Sequence, residues 1–386
     1  MQGQCWLVNG SRFLGRFSAL RCAKSLNAFD EFHIPEWHYE AWESVDVQKT
    51  MNKEPTHWID QKIDYLFEKY PKQRLWFSGG TDSDTILKRS LARGHLYEHV
   101  FMQIRGLKDF DYVEFDVKPG YEWLHANQNV GRIVEFQHNT AEDYAEVWAD
   151  PEIYINCDDF AIQFYPSWRS LSLRHTQYEL DIDLNVEGHL KPVLYCKDGH
   201  YYWLHTDGFS EGRKINANSF FMDGEVPEVA ISQLYSARNF FKKYTPNLEG
   251  TLGQGKVPMG QRTEYHLALG RLQPRSKEIS IGTLGNAKGV APVNSKQIEA
   301  MLLLEAAGRT DIIHNFFATM QRMITEFQDM QYGITIEYLD NPLKNIHGEF
   351  DYLPDKIPLP QITSRISHIY RLDDTEMVKV PVDGFF

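Results

Sequence analysis

The spacing of apolar residues changes several times along the chain, and each change marks an element. Ile59, Ile63, Leu66 and Tyr70 recur at steps of four, three and four, which puts them on one face of a helix that begins near Thr56 and ends at Pro71. Arg74, Leu75, Trp76 and Phe77 then form a short run read as a buried strand. Helical spacing returns over 84–92 in Ile86, Leu87 and Leu91, with Gly94 placed to cap the C-terminus. Strand patterns follow at 99–104 and 132–136, and helical ones at 121–129 and 141–148. Strands alternating with helices predict an α/β fold, a parallel sheet joined by right-handed crossovers and flanked by helices.

Beyond residue 153 the pattern loosens. The runs 192–195 and 201–204 flank Lys197-Asp198-Gly199, the composition of a hairpin turn. A helix is expected from Glu228 through Leu234, Phe240 and Phe241, and the Gly/Pro-rich stretch 246–260 is the candidate boundary. Two more helices read clearly, 295–307 and 310–327, with Ser295 and Thr310 as N-caps. Residues 1–54 are rich in aromatics such as Trp37 and Trp42 but aperiodic. The expected organisation is therefore an N-terminal packing arm over 1–54, a parallel-sheet domain over 55–250 and a largely helical region over 251–386.

Composition narrows what such a chain serves. Its 386 residues exceed the size at which a single core stops growing, about 250–300 residues, so two domains or one enlarged domain are expected. With 40 Lys+Arg against 53 Asp+Glu the net charge is -13, and Lys191, Lys197, Arg213, Lys214, Lys242 and Lys243 are dispersed, so free nucleic acid is not the expected partner. Cys5, Cys22, Cys157 and Cys196 show no zinc or redox spacing, as in a reducing cytoplasm. No apolar run approaches the roughly 20 residues of a membrane helix, so a soluble cytoplasmic protein without a membrane partner is expected.

The densest chemistry lies in Ser78-Gly79-Gly80-Thr81-Asp82-Ser83, between the buried strand and a helix. The first amides of a helix lack intrahelical partners and the dipole is positive there, so such a loop attracts anions. Gly79 and Gly80 let a phosphate approach the backbone, and Ser78 and Ser83 offer hydroxyl donors. Asp82 cannot bind phosphate directly, but suits a Mg²⁺ that bridges phosphate oxygens. As an apparent surface position it should tolerate Asp82→Asn at under about 1 kcal/mol.

Phe77-Ser78-Gly79-Gly80-Thr81-Asp82-Ser83 resembles the Ser-Gly-Gly-x-Asp-Ser signature of the N-type ATP pyrophosphatase (PP-loop) superfamily. Val186-Glu187-Gly188-His189-Leu190-Lys191-Pro192, Lys197-Asp198-Gly199-His200-Tyr201-Tyr202 and Phe240-Phe241-Lys242-Lys243-Tyr244-Thr245-Pro246 are similar to stretches of asparagine-synthase-like proteins of tailed bacteriophages. The resemblance covers roughly 55–250, strongly at the loop and weakly elsewhere. It implies an adenine-nucleotide α-hydrolase-like fold, ATP and Mg²⁺ as ligands, and a host-cytoplasmic location if the chain is phage-encoded. It further implies that Lys191 contacts pyrophosphate, beside catalytic roles for Asp82 and Ser83. Ligands of open α/β sheets sit outside the carboxyl ends of the strands, which adds Ile104 and Arg105 as candidates near adenine or phosphate.

Departures from the family limit the reading. Position 2 is Gln2, where glutamine-dependent asparagine synthetases carry their cysteine nucleophile, so no internal glutaminase is expected. Gly250-Thr251-Leu252-Gly253-Gln254-Gly255-Lys256-Val257 has Walker A spacing, but Val257 stands where a hydroxyl must hold Mg²⁺. His95-Leu96-Tyr97-Glu98-His99 matches an inverted zinc-peptidase motif but runs into a strand, whereas its ligands need a helix. The expected activity is adenylation of a small-molecule or protein carboxylate with release of pyrophosphate, for ligation or amidation. The alternatives are modification of a nucleoside, tRNA or DNA base through an adenylated base, and a phage protein that binds a nucleotide without turnover.

Overall fold

The computed structural model describes residues 6–13, 16–29, 42–105, 118–138, 141–142, 145, 182–188, 193–206, 219–221, 226–253, 256–272, 303–327, 336–340, 355–360 and 366–386. The chain opens with a hairpin of β1 (Trp6–Val8) and β2 (Ser11–Phe13), then helices α1 (Arg16–Leu26) and α2 (Val47–Met51). The alternation read from the sequence follows: α3 (Pro55–Lys69), β3 (Gln73–Phe77), α4 (Thr81–Ala92), β4 (Tyr97–Arg105), α5 (Lys118–Ala126) and β5 (Gly131–His138). Of the helix expected at 141–148, residues 141, 142 and 145 are helical and the others lie outside the described residues. Next come β6 (Leu184–Glu187), β7 (Val193–Lys197), β8 (His200–Thr206), β9 (Ser219–Phe221) and α6 (Pro227–Tyr244). The chain continues through β10 (Gly250–Leu252), α7 (Arg262–Ala268), α8 (Thr310–Phe327), β11 (Ile336–Asp340), β12 (Lys356–Pro360), β13 (Ile366–Leu372) and β14 (Met377–Val380).

Five of these strands form one sheet in the order β5-β4-β3-β6-β9, and every neighbouring pair is parallel. The chain moves outward from β3 through β4 to β5, then returns to place β6 on the other side of β3. The strand order therefore reverses at β3, the kind of position at which open α/β sheets bind ligands, outside the carboxyl ends of the strands. Side chains alternate along each strand, and the two faces differ. Leu75 and Phe77 of β3, Val100 and Met102 of β4, and Leu184 and Val186 of β6 share one core with Ile59, Ile63 and Leu66 of α3, Ile86 and Leu87 of α4, and Leu124 of α5. The other face carries Arg74, Trp76, His99, Phe101, Asn185 and Glu187, all buried.

On that second face Arg74 lies in register with His99 on β4 and Asn185 on β6. Its Nε donates to Asn185 Oδ1 at 2.5 Å, and the guanidinium lies 4.7 Å from the Phe101 ring centre and 5.4 Å from that of Trp76. Burial lowers the Arg74 pKa to about 10, with Glu187 opposing the shift. Burial also holds His99 below the usual imidazole value, with Glu98 pulling it up and Arg132 and Arg74 adding to the fall.

A second five-stranded sheet, β10-β7-β8-β13-β14, is antiparallel throughout. Its β7–β8 turn has Asp198 and Gly199 both at positive φ, 53° and 72°, the geometry that favours Asp-Gly in two-residue hairpins. The core beneath is rich in aromatics: Trp42, Tyr201, Trp203, Tyr235, Phe240, Phe241, Tyr265 and Tyr370 are all buried in it. Helix α6 joins the two cores, because Val229 in its first turn packs with the parallel sheet while residues from Ala230 to Phe241 pack with the antiparallel one. Arg238 of α6 is buried and pairs with Asp374, and Tyr235 Oη donates to Glu376 O at 2.8 Å, which fixes the β13–β14 turn to the helix.

The structure places strands in two regions where the sequence pattern marks none. Among the described residues from 250 onward, helices α7 and α8 stand beside strands β10 to β14, and β10, β13 and β14 complete a sheet begun by β7 and β8. Long-range antiparallel pairing, and not local periodicity, decides their conformation. Residues 1–54 also carry the β1–β2 hairpin, whose turn Asn9-Gly10 has both residues at positive φ. Trp42 does pack as the aromatic arm suggests, with its ring centre 5.2 Å from that of Trp203. The helix 310–327 is found at the expected residues, and of 295–307 only 303–306 are described as helical.

Candidate functional site

The Ser78–Ser83 segment leaves the carboxyl end of β3, at the strand where the sheet order reverses. Helix α4 begins earlier than the sequence indicates, at Thr81 with Gly80 as N-cap, so Asp82 and Ser83 belong to its first turn. Gly79 has φ 79°, which a side chain resists, and it turns the chain sharply from strand to helix. The Asp84 N–H donates to Gly80 O at 3.0 Å and closes the first helical turn.

Hydroxyl groups shape the loop from within. Ser83 Oγ donates to Gly80 O at 3.2 Å and accepts from the Ser78 N–H at 3.2 Å. With that proton committed, the 3.3 Å contact between the two serine hydroxyls is a donation from Ser78 Oγ, which itself accepts from the Gly80 N–H at 3.3 Å. These contacts are long for hydrogen bonds to oxygen. Ser83 is only 3% exposed, so its hydroxyl acts as the internal tie of the loop, whereas Ser78, Gly80, Thr81 and Asp82 are partly exposed.

Gly188, at the exit of β6, closes the other wall. A Cβ on this residue would lie 2.9 Å from the Asp82 carbonyl carbon, 2.9 Å from the Ser83 nitrogen and 3.0 Å from Ile86 Cδ1. Only glycine lets β6 approach the first turn of α4 so closely.

The structure adds a residue that local sequence patterns do not reveal. Arg271, just beyond α7, is buried, and its Nε lies 2.9 Å from Asp82 Oδ1. The Arg271 side chain is 3% exposed and the Asp82 side chain 22%. Charge holds the contact, since the two atoms meet at ion-pair distance without hydrogen-bond alignment. The segment that delivers Arg271 is anchored on both sides. Gly270, at φ 73°, sits so close to α3 that a Cβ would be 2.9 Å from Pro55 Cβ and 3.0 Å from the Thr56 nitrogen. The Leu272 N–H donates to Thr85 Oγ1 at 3.0 Å, and Thr85 Oγ1 donates to Thr81 O at 2.7 Å. Buried Gln233 of α6 donates through Nε2 to Leu269 O at 3.1 Å. Residues 269–272 thus form a strap from the antiparallel core to the loop.

This pairing overturns the expectation that Asp82→Asn is a mild surface change. It would remove a counter-charge of a buried guanidinium, a loss of about 3–5 kcal/mol for a fully buried pair and less here because Asp82 is partly exposed. As a magnesium ligand Asp82 still fits: a single partly exposed carboxylate suits a cation that takes its remaining ligands from water and phosphate. No group of three or more His, Cys, Asp or Glu among the described residues could hold a metal ion.

The remaining expected residues are placed unevenly. Ile104 and Arg105 end β4, beyond the Phe77–Met102 register pair, and so reach the same end of the sheet, but their side chains lie outside what is described. Lys191 lies outside the described residues, as do Arg213 and Lys214. The other surface cations do not join the loop: Lys242 faces Asp374 at 3.7 Å, Lys243 faces Glu264 at 3.1 Å, and Lys197 meets the backbone oxygen of Phe385. Gly250–Leu252 is a strand paired with β7 and not a phosphate loop, and His99 lies in β4 while His95 bonds Asp64 at 2.8 Å. No helix among the described residues is long and apolar enough to cross a membrane. Comparison with models of known protein families gives no match, and comparison with curated proteins gives none either.

Proposed function

We propose that the chain binds ATP at the Ser78 loop and cleaves it between the α and β phosphates, transferring the adenylyl group to a carboxylate. One observation carries this reading: a Ser-Gly-Gly-x-Asp-Ser loop opens a helix at the carboxyl end of the strand where a parallel sheet reverses its order. Both the helix terminus and the reversal point favour a phosphate-bearing ligand there.

The residues divide the work simply. Backbone amides at the start of α4 would face the phosphates, Ser78, Ser83 and Gly188 hold the loop in shape, and Asp82 would hold Mg²⁺. That ion, when bound, neutralises phosphate charge. A substrate carboxylate oxygen forms the bond to the α-phosphorus, the bond to the α,β-bridging oxygen breaks, and pyrophosphate leaves with the electron pair. An amine then takes the acyl group and AMP departs. Positioning and charge neutralisation supply the acceleration, and no covalent step on the protein is needed.

Product analysis tests the reading. ATP, Mg²⁺ and pools of amino acids, small carboxylic acids and carboxylate-bearing proteins should yield AMP and pyrophosphate in equal amounts, with Asp82→Asn reducing turnover at least a hundredfold. ADP and phosphate as sole products would refute it. Tight ATP binding without any product would favour the nucleotide-binding alternative.

A further inference from the structure

We propose that Arg271 is a phosphate-binding residue of this site, paired with Asp82 only until a nucleotide arrives. The inference rests on the reading that ATP binds the Ser78 loop and adds to it a ligand from outside the parallel-sheet segment. The loop itself is acidic for a phosphate site. Asp82 and Asp84 both stand in the first turn of α4, and Lys88 lies 2.8 Å from Asp84. A polyphosphate docking there meets the Asp82 carboxylate and needs positive charge against it.

Arg271 is the described cation already in place, buried, and 2.9 Å from that carboxylate. A buried ion pair contributes little net stability, because desolvation offsets the attraction, so the pair is poorly explained as a staple of the fold. The fold already has staples beside it. Gly270 packs on α3, and Leu272 and Thr85 tie the strap to α4, without the guanidinium. That anchoring keeps Arg271 beside the loop whichever anion it faces.

The exchange conserves charge. With Mg²⁺ and nucleotide bound, Asp82 would hold the metal and a phosphate oxygen would take its place against the guanidinium, whose planar fork suits phosphate. Both ions keep a partner of opposite sign throughout. Asp82 and phosphate are therefore competitors for Arg271 in the absence of metal.

Equilibrium binding of Mg²⁺-ATP, pyrophosphate and adenosine to the full chain tests this with Arg271→Met, Arg271→Lys and Asp82→Asn. Arg271→Met should weaken ATP and pyrophosphate at least tenfold and leave adenosine within twofold. Arg271→Lys, which keeps the charge but not the fork, should fall between. Asp82→Asn should tighten pyrophosphate several-fold when Mg²⁺ is absent, which a purely structural pair would not do. ATP and pyrophosphate affinities within twofold of wild type in folded Arg271→Met would overturn the proposal. If that variant does not fold, unchanged affinities in Arg271→Lys overturn it equally. A wild-type chain that binds neither ligand refutes the ATP reading itself, whereas binding that ignores Arg271 refutes this inference alone.

Discussion

The two sheets of this chain bury different chemistry. Beneath the antiparallel sheet lie rings packed on rings: Trp203 is 5.2 Å from both Trp42 and Tyr370, and Phe240 is 5.1 Å from Tyr265. The parallel sheet packs aliphatic residues on one face but buries Arg74, His99, Asn185 and Glu187 on the other, and it ends in a loop lined with hydroxyls and charge. Aromatic burial stabilises through large apolar area and preferred ring geometries, whereas buried polar groups cost stability unless their partners are placed well. Among the described residues the densest aromatic packing lies beneath the antiparallel sheet, and the candidate site lies at the end of the parallel one.

The largest effect should come from breaking the aromatic core. Trp203→Ala removes a side chain that is 1% exposed, and an equilibrium denaturation curve should show a loss of about 3–5 kcal/mol. A loss below about 1 kcal/mol would remove the contrast between the halves. Gly188→Ala acts at the site and should cost less, about 1–3 kcal/mol, because the new Cβ must push the first turn of α4 away from β6. The same displacement should weaken ATP binding more than tenfold, and wild-type affinity in a folded variant would show that the close approach has no bearing on the loop.

The smallest effect is a pH dependence confined to the polar face. Burial lowers the His99 pKa in the folded chain, so below the ordinary imidazole value of about 6.5 the unfolded chain takes up the proton first. Stability contributed by neutral His99 is full above that value and declines as pH falls towards the depressed folded value. His99→Gln should flatten this part of the stability profile in denaturation measured from pH 7 to pH 5. An unchanged slope would place the titration elsewhere.

The parallel half was the more legible in sequence, for a physical reason. Ile59, Ile63 and Leu66 mark their helix by local spacing, and a loop between strand and helix is a local event that Ser78-Gly79-Gly80 announces. The antiparallel half depends on partners far apart in the chain: β8 pairs with β13, and β10 with β7. Asn9-Gly10 did carry a local hairpin signal, but three-residue strands on either side leave no alternation to read. Arg271 was illegible because nothing around it forms a motif. Its meaning comes from Gly270 meeting Pro55 and Leu272 meeting Thr85, contacts that only the folded chain brings together. Conversely Ser83, legible as a phosphate donor, turns out to spend its hydroxyl inside the loop.

That internal hydroxyl network bears on the kinetics of recognition. A loop whose turn is already held by Gly79, Ser78 and Ser83 has little backbone left to order when an anion arrives, so most of the usual entropic cost of capture is absent. Capture at such a loop is a collision with a standing shape: the observed rate should rise linearly with ligand concentration in rapid mixing, with no slow ordering phase behind it.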